Sequence, residues 1–170
     1  VWLEKARPRG YCNNRRGGIH LFVAAHAGKA APGSGGRKSI MYRTVTHNIE
    51  VVATPRFVAD RSSPESNYFF WAYTISITNN GTETVQLKTR HWRITDANGR
   101  RQEVRGAGVV GEEPVLKAGE AFEYTSGVPL QTPSGFMVGS FGMVSASGEH
   151  FNIEVPAFSL DSVESKRTIN

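Results

Sequence analysis

Gly106, Gly108 and Gly111 stand at the spacing of a dinucleotide-binding fingerprint. The chemistry of that spacing is the cradling of a pyrophosphate by backbone N–H groups at the start of a helix. The fingerprint needs a strand before it and a helix after it. Here Pro114 follows the last glycine by three residues, and Val115-Leu-Lys-Ala-Gly119 comes next. Nothing from Gly111 to Gly119 carries a helical pattern. Two readings remain for Gly106, Gly108 and Gly111. One is an anion loop, a nest of N–H groups that needs no helix. The other is a long loop at a sheet edge, where glycine supplies positive φ or close packing. Glu112 and Glu113 adjoin the loop, and two carboxylates repel a pyrophosphate unless a metal intervenes. Arg105 offsets them in part. The packed-loop reading is preferred, with no cofactor expected.

Other residues able to do chemistry are sparse. His47, His91 and His150 show no zinc-motif spacing. His47 and His150 fall in the opening and closing strands, a placement that lets them meet across a sheet, but no metal site is expected. Cobalt favours imidazole or thiolate, and the sole cysteine, Cys12, lies near the start of the chain. Ser126, in Thr125-Ser-Gly127, lacks the Gly-x-Ser-x-Gly elbow of a nucleophile. Glu120 and Glu123 have an odd spacing that puts them on opposite faces of a strand, so no acid–base pair forms and no catalytic residue is assigned. Arg90, Trp92 and Arg93 interleave base and aromatic, a pattern that suits single-stranded nucleic acid or a protein interface. Trp92 also reads as a packing residue. The candidate interaction surface is Arg90, His91, Trp92, Arg105, Glu112 and Glu113.

The elements that position these residues read as strands. Phe69, Trp71, Tyr73, Ile75 and Ile77 alternate with small and polar residues, and so share one face. Asn79-Asn-Gly-Thr82 and Asp96-Ala-Asn-Gly99 are turn signals. Between them Val85 and Leu87 keep one phase, and Trp92 and Ile94 the opposite one, which predicts a bulge near Thr89 to His91. Phe122 and Tyr124 alternate. So do Met137, Phe141 and Met143, and likewise Phe151, Ile153 and Val155, with Ser145 to Gly148 as the hairpin between the last two runs. His47 to Phe57 is the opening strand. About seven strands separated by regular turns predict an all-β antiparallel sandwich.

Charge divides the chain. Residues 1–40 carry eight Lys or Arg against one acid, a net +7, whereas residues 41–170 carry twelve against fourteen, a net −2. The basic character therefore belongs to the first forty residues, and no nucleic acid is expected to bind through the domain. No apolar run is long enough to span a bilayer as a helix. A domain without cysteine fits a reducing compartment. Residues 1–40 are rich in Gly, Ala and Arg without a sustained period, which predicts a flexible extension.

Four blocks, in order, resemble the ApaG (CorD) family. They are Arg90-His-Trp-Arg-Ile-Thr-Asp-Ala-Asn-Gly99, Val104-Arg-Gly-Ala-Gly-Val-Val-Gly-Glu-Glu-Pro114, Gly119-Glu-Ala-Phe-Glu-Tyr-Thr-Ser-Gly127 and Gly135-Phe-Met-Val-Gly-Ser-Phe-Gly-Met143. The resemblance runs from about Met41 to Lys166. It implies an immunoglobulin or fibronectin type III-like sandwich in a cytoplasmic bacterial protein. It also implies a family link to cobalt resistance and magnesium efflux, and a role in protein–protein recognition like that of related eukaryotic domains. Family members begin near Met41, so residues 1–40 read as lying upstream of the natural start. An export signal built on Arg15-Arg16 and the run Ile19 to Ala25, and a basic arm or organelle presequence, are the alternatives. The function expected is a non-catalytic adaptor with an unidentified protein partner. The alternative is a pyrophosphate- or nucleotide-binding protein that uses Gly106 to Gly111, with hydrolase activity as the extension of that reading.

Overall fold

Alternation along Phe69–Asn79 dictates the central strand of one sheet. Trp71, Tyr73, Ile75 and Ile77 are fully buried, and the residues between them face outward. The computed structural model describes residues 40–162 and the backbone of a short strand at Phe22–Val23. In chain order the strands are β1 (Phe22–Val23), β2 (Tyr42–Thr46), β3 (Ile49–Phe57), β4 (Phe69–Asn79), β5 (Val85–Asp96), β6 (Arg101–Ala107), β7 (Val115–Leu116), β8 (Ala121–Leu130), β9 (Ser134–Ser145) and β10 (His150–Asp161). One sheet has the order β1-β8-β4-β3-β2. The other has β10-β9-β5-β6, with β7 paired to the start of β5. All pairings are antiparallel.

Inward faces of both sheets meet in one aromatic core. Trp92 of β5 is fully buried and packs edge-on against Tyr73, Phe141 and Phe158, with ring centroids 5.5, 5.9 and 6.1 Å away. The indole lies so close to β9 that a Cβ on Gly139, its directly opposed neighbour, would come within 2.6 Å of the ring. A glycine is required there by packing, not by backbone conformation.

Three elements differ from the sequence reading. The opening strand begins at Ile49, because His47 and Asn48 adopt φ of 50° and 59° and turn the chain back onto β2. Positive φ at both central residues is the geometry of a two-residue hairpin. The bulge in β5 lies at Lys88, between Leu87 and Thr89, one residue earlier than the phase change suggested. Among the described residues there are ten strands where about seven were expected: β1 and β7 are only two residues long, and β2 precedes the strand that the sequence reading takes as the first. The expected flexible extension, Cys12 and the export-signal arginines fall outside the described residues. Of the first 39 residues only Phe22–Val23 is described, paired with Gly127 and Ser126 of β8.

Candidate functional site

The bulge at Lys88 sets the geometry of the glycine segment. It shifts the phase of β5, so that Arg90 points inward with Trp92 and Ile94 and is only half-buried at the edge. Arg90 Nη1 donates to the carbonyls of Ala107 at 2.6 Å and Gly108 at 2.8 Å. Its guanidinium lies across Gly106, the residue directly opposite on β6. A Cβ on Gly106 would stand 3.0–3.1 Å from the guanidinium carbon and both of its terminal nitrogens.

The other two glycines answer different needs. Gly108 has φ 55°, and a Cβ there would overlap the carbonyl of Glu112. Its amide donates to Lys88 O at 2.8 Å. Val109 and Glu112 then exchange two backbone hydrogen bonds of 2.8 Å around Val110 and Gly111, with φ of 47° and 80°. This is a two-residue hairpin with both central residues left-handed. A valine is costly in that region. Val109 is fully buried, and Val110 packs on the core, which offsets the strain. The amides of Gly108, Val109 and Glu112 therefore serve the protein's own carbonyls.

Around this loop lie charged groups. Lys88 pairs with the carboxylate of Glu113, and Gln86 Nε2 donates to Glu113 O at 3.1 Å. Glu112 is exposed. On the outer face of β5 and β6, Glu103 sits 3.3 Å from His91 Nε2 and 3.4 Å from Arg105 Nη2. The hydrogen bond with His91, followed by that with Arg105, holds the Glu103 carboxyl below its ordinary value. Being exposed, this cluster contributes little to stability.

Of the six residues proposed for an interaction surface, the structure joins His91 and Arg105 on one face. It places Glu112 and Glu113 at the neighbouring edge. Trp92 is a correction: it is fully buried, because the bulge turns its phase into the core. Arg90 also points inward and is committed to loop carbonyls. His47 is a second correction. It lies in the β2–β3 turn rather than in a strand, with its ring 5.1 Å from Phe151, while His150 is exposed at the start of β10. Among the described residues, no three His, Cys, Asp or Glu side chains gather as a metal site would require. Glu120 lies in the turn before β8, where its carboxylate accepts the amide of Lys117 at 2.8 Å.

Sequence reasoning missed a hydroxyl cluster facing Arg90 from the opposite sheet. Tyr73 and Ser126 are directly opposed on β4 and β8, and both are buried. Burial pushes the Tyr73 hydroxyl up to about 12, against smaller downward pulls from a hydrogen bond with Ser126 and from the Arg90 charge. Tyr124 is raised too, by burial first and then by Tyr73. The signal was present in the alternation, since both tyrosines occupy inward positions.

Two antiparallel sheets packed face to face, with a long edge loop between β6 and β7, define an immunoglobulin-like sandwich module. The ApaG domain model matches residues 59–145, from the first 3₁₀ turn to the end of β9. The chain belongs to the ApaG family. It is 65% identical over 130 residues to Protein ApaG of Bradyrhizobium diazoefficiens, an alignment that covers 76% of this chain and all of that protein. Protein ApaG of Rhodopseudomonas palustris is 63% identical over the same shares. The crystal structure of the putative ApaA protein from Bordetella pertussis is 46% identical, with a TM-score of 0.67, and covers 68% of this chain and 94% of that one.

Proposed function

We propose that this protein is a non-catalytic, cytoplasmic binding module that presents a charged face and a rigid edge loop to a protein partner. One observation carries the reading. The amides of Gly108, Val109 and Glu112 are spent on Lys88, Glu112 and Val109 carbonyls, and Arg90 is spent on Ala107 and Gly108. The glycine segment is thus built as a packed rim, and a phosphate cradle would need those donors free. Above the rim, Glu103, Arg105, His91, Glu112 and the Lys88–Glu113 pair offer alternating charge, which favours recognition and on-rate over raw affinity.

Any influence on cobalt or magnesium, in this reading, runs through the partner rather than through a metal held by the domain. The test is capture from host lysate by the tagged full chain and by a charge-reversed Arg105→Glu/Glu112→Lys variant. A protein retained in stoichiometric amount by the parent and lost by the folded variant supports the reading. A partner retained equally by both would move the interface elsewhere on the sandwich.

A further inference from the structure

With the two-residue β1 set aside, β2, β8, β6 and β10 end the two sheets among the described residues, and three of these edges are closed or guarded. The β2 and β10 edges are tied together: Tyr42 Oη lies 2.8 Å from Ser159 Oγ, and the Glu154 amide donates to Thr46 Oγ1 at 3.2 Å. The β6 edge carries Arg101, Glu103 and Arg105, the charged residues that keep an exposed edge from pairing with other chains. The β8 edge is different. Its ten residues include one charge, Glu123, and Pro129 near its end. Its only further neighbour among the described residues is β1, which covers two positions: Phe22 opposite Gly127 and Val23 opposite Ser126.

We infer that the β8 edge is a strand-acceptor site and that the apolar segment around Phe22–Val23 is its built-in occupant. An extended segment adds to an exposed sheet edge through main-chain hydrogen bonds, which gives affinity without a preformed pocket. The occupant suits the site. Residues 19–25 are the longest apolar run of the first forty residues, interrupted once by His20. They lie within a stretch of net charge +7, against −2 for the rest of the chain, so long-range attraction favours the docked arrangement. Linkage within one chain raises the effective concentration of the segment at the edge, so another strand reaches β8 only by displacing it. This inference stands apart from the adaptor reading, because it concerns pairing within the protein itself.

Hydrogen exchange on the full chain tests it. A Phe22→Pro/Val23→Pro variant removes two N–H groups from β1 and leaves every domain residue in place. At Ser126 and Gly127, the amide that points toward β1 is expected to exchange about fivefold faster in the variant, with 69–79 unchanged as the internal control. A synthetic peptide of residues 18–27, added to the variant at millimolar concentration, is expected to restore the slower rate. Equal exchange of that amide in parent and variant would overturn the inference, as would faster exchange that the peptide does not reverse.

Discussion

Arg90 lies flat across Gly106, its directly opposed neighbour, and is held there by the carbonyls of Ala107 and Gly108. The guanidinium occupies the space that a side chain at 106 would need. The two residues are therefore coupled, and the glycine is a consequence of the arginine.

A double-mutant cycle on this pair is expected to show a reversal of sign. Gly106→Ala in the parent pushes on a guanidinium that cannot yield without losing its carbonyls, and is expected to destabilise by about 1–2 kcal/mol. In an Arg90→Ala background the same change is expected to be neutral or stabilising by up to about 1 kcal/mol, since alanine suits a strand better than glycine does. Urea melts of the four proteins measure both steps. Additive effects would deny the coupling.

Gly108 and Gly111 separate in the same way. An added Cβ at Gly108 meets the backbone of Glu112, whereas at Gly111 it meets nothing within 4 Å. Gly111→Ala is expected to cost about 1–2 kcal/mol, from the left-handed backbone alone. Gly108→Ala is expected to cost clearly more, in the range above about 3 kcal/mol. Equal midpoints in a thermal melt would contradict this.

Much of the fold was legible because strands with one buried face write it as period-two alternation. Tyr73, Met137 and Ile153 all fall where that pattern puts them. The legibility ended where structure depends on pairing rather than on pattern. β7 is two residues long and exists because β5 offers it a partner at Val85 and Gln86. The turn at His47–Asn48 has no glycine to mark it. The site was less legible than the fold. The glycine spacing announced a special backbone, but the reason for it, an arginine turned inward by a bulge, is a tertiary fact. The same turn removed Trp92 from the surface where the base–aromatic pattern had placed it.

Alkaline sensitivity follows from the buried tyrosines. The Tyr73 hydroxyl is raised to about 12 in the fold, above its ordinary value of 10.0. The folded state therefore holds its proton longer than the unfolded state does. That contribution is fully present below pH 10 and is lost as pH rises through about 12. The loss from Tyr73 is about 2–3 kcal/mol, and Tyr124 acts in the same direction. Urea melts from pH 8 to 11.5 are expected to show falling stability above pH 10, and Tyr73→Phe is expected to flatten the profile. A flat profile in the parent would contradict the burial argument.

No cobalt ion dependent on the domain histidines is expected. His47 is engaged with Phe151, and no third ligand joins it among the described residues. Equilibrium dialysis at micromolar free Co²⁺, with elemental analysis, compares the parent with His47→Ala and His150→Ala. Equal retention by all three is expected. One ion per chain retained by the parent and lost in either variant would show a site that the packing does not suggest.

The claim that the glycine segment is a packed rim meets its most direct test in calorimetry. Pyrophosphate, and separately ATP, are titrated into the full chain at physiological salt. No saturable heat tighter than about 1 mM, equivalent to roughly −4 kcal/mol, is expected. A saturating micromolar isotherm that vanishes in the folded Gly111→Ala variant would contradict it, because the amides now bonded to Lys88, Val109 and Glu112 would then have to open toward an anion.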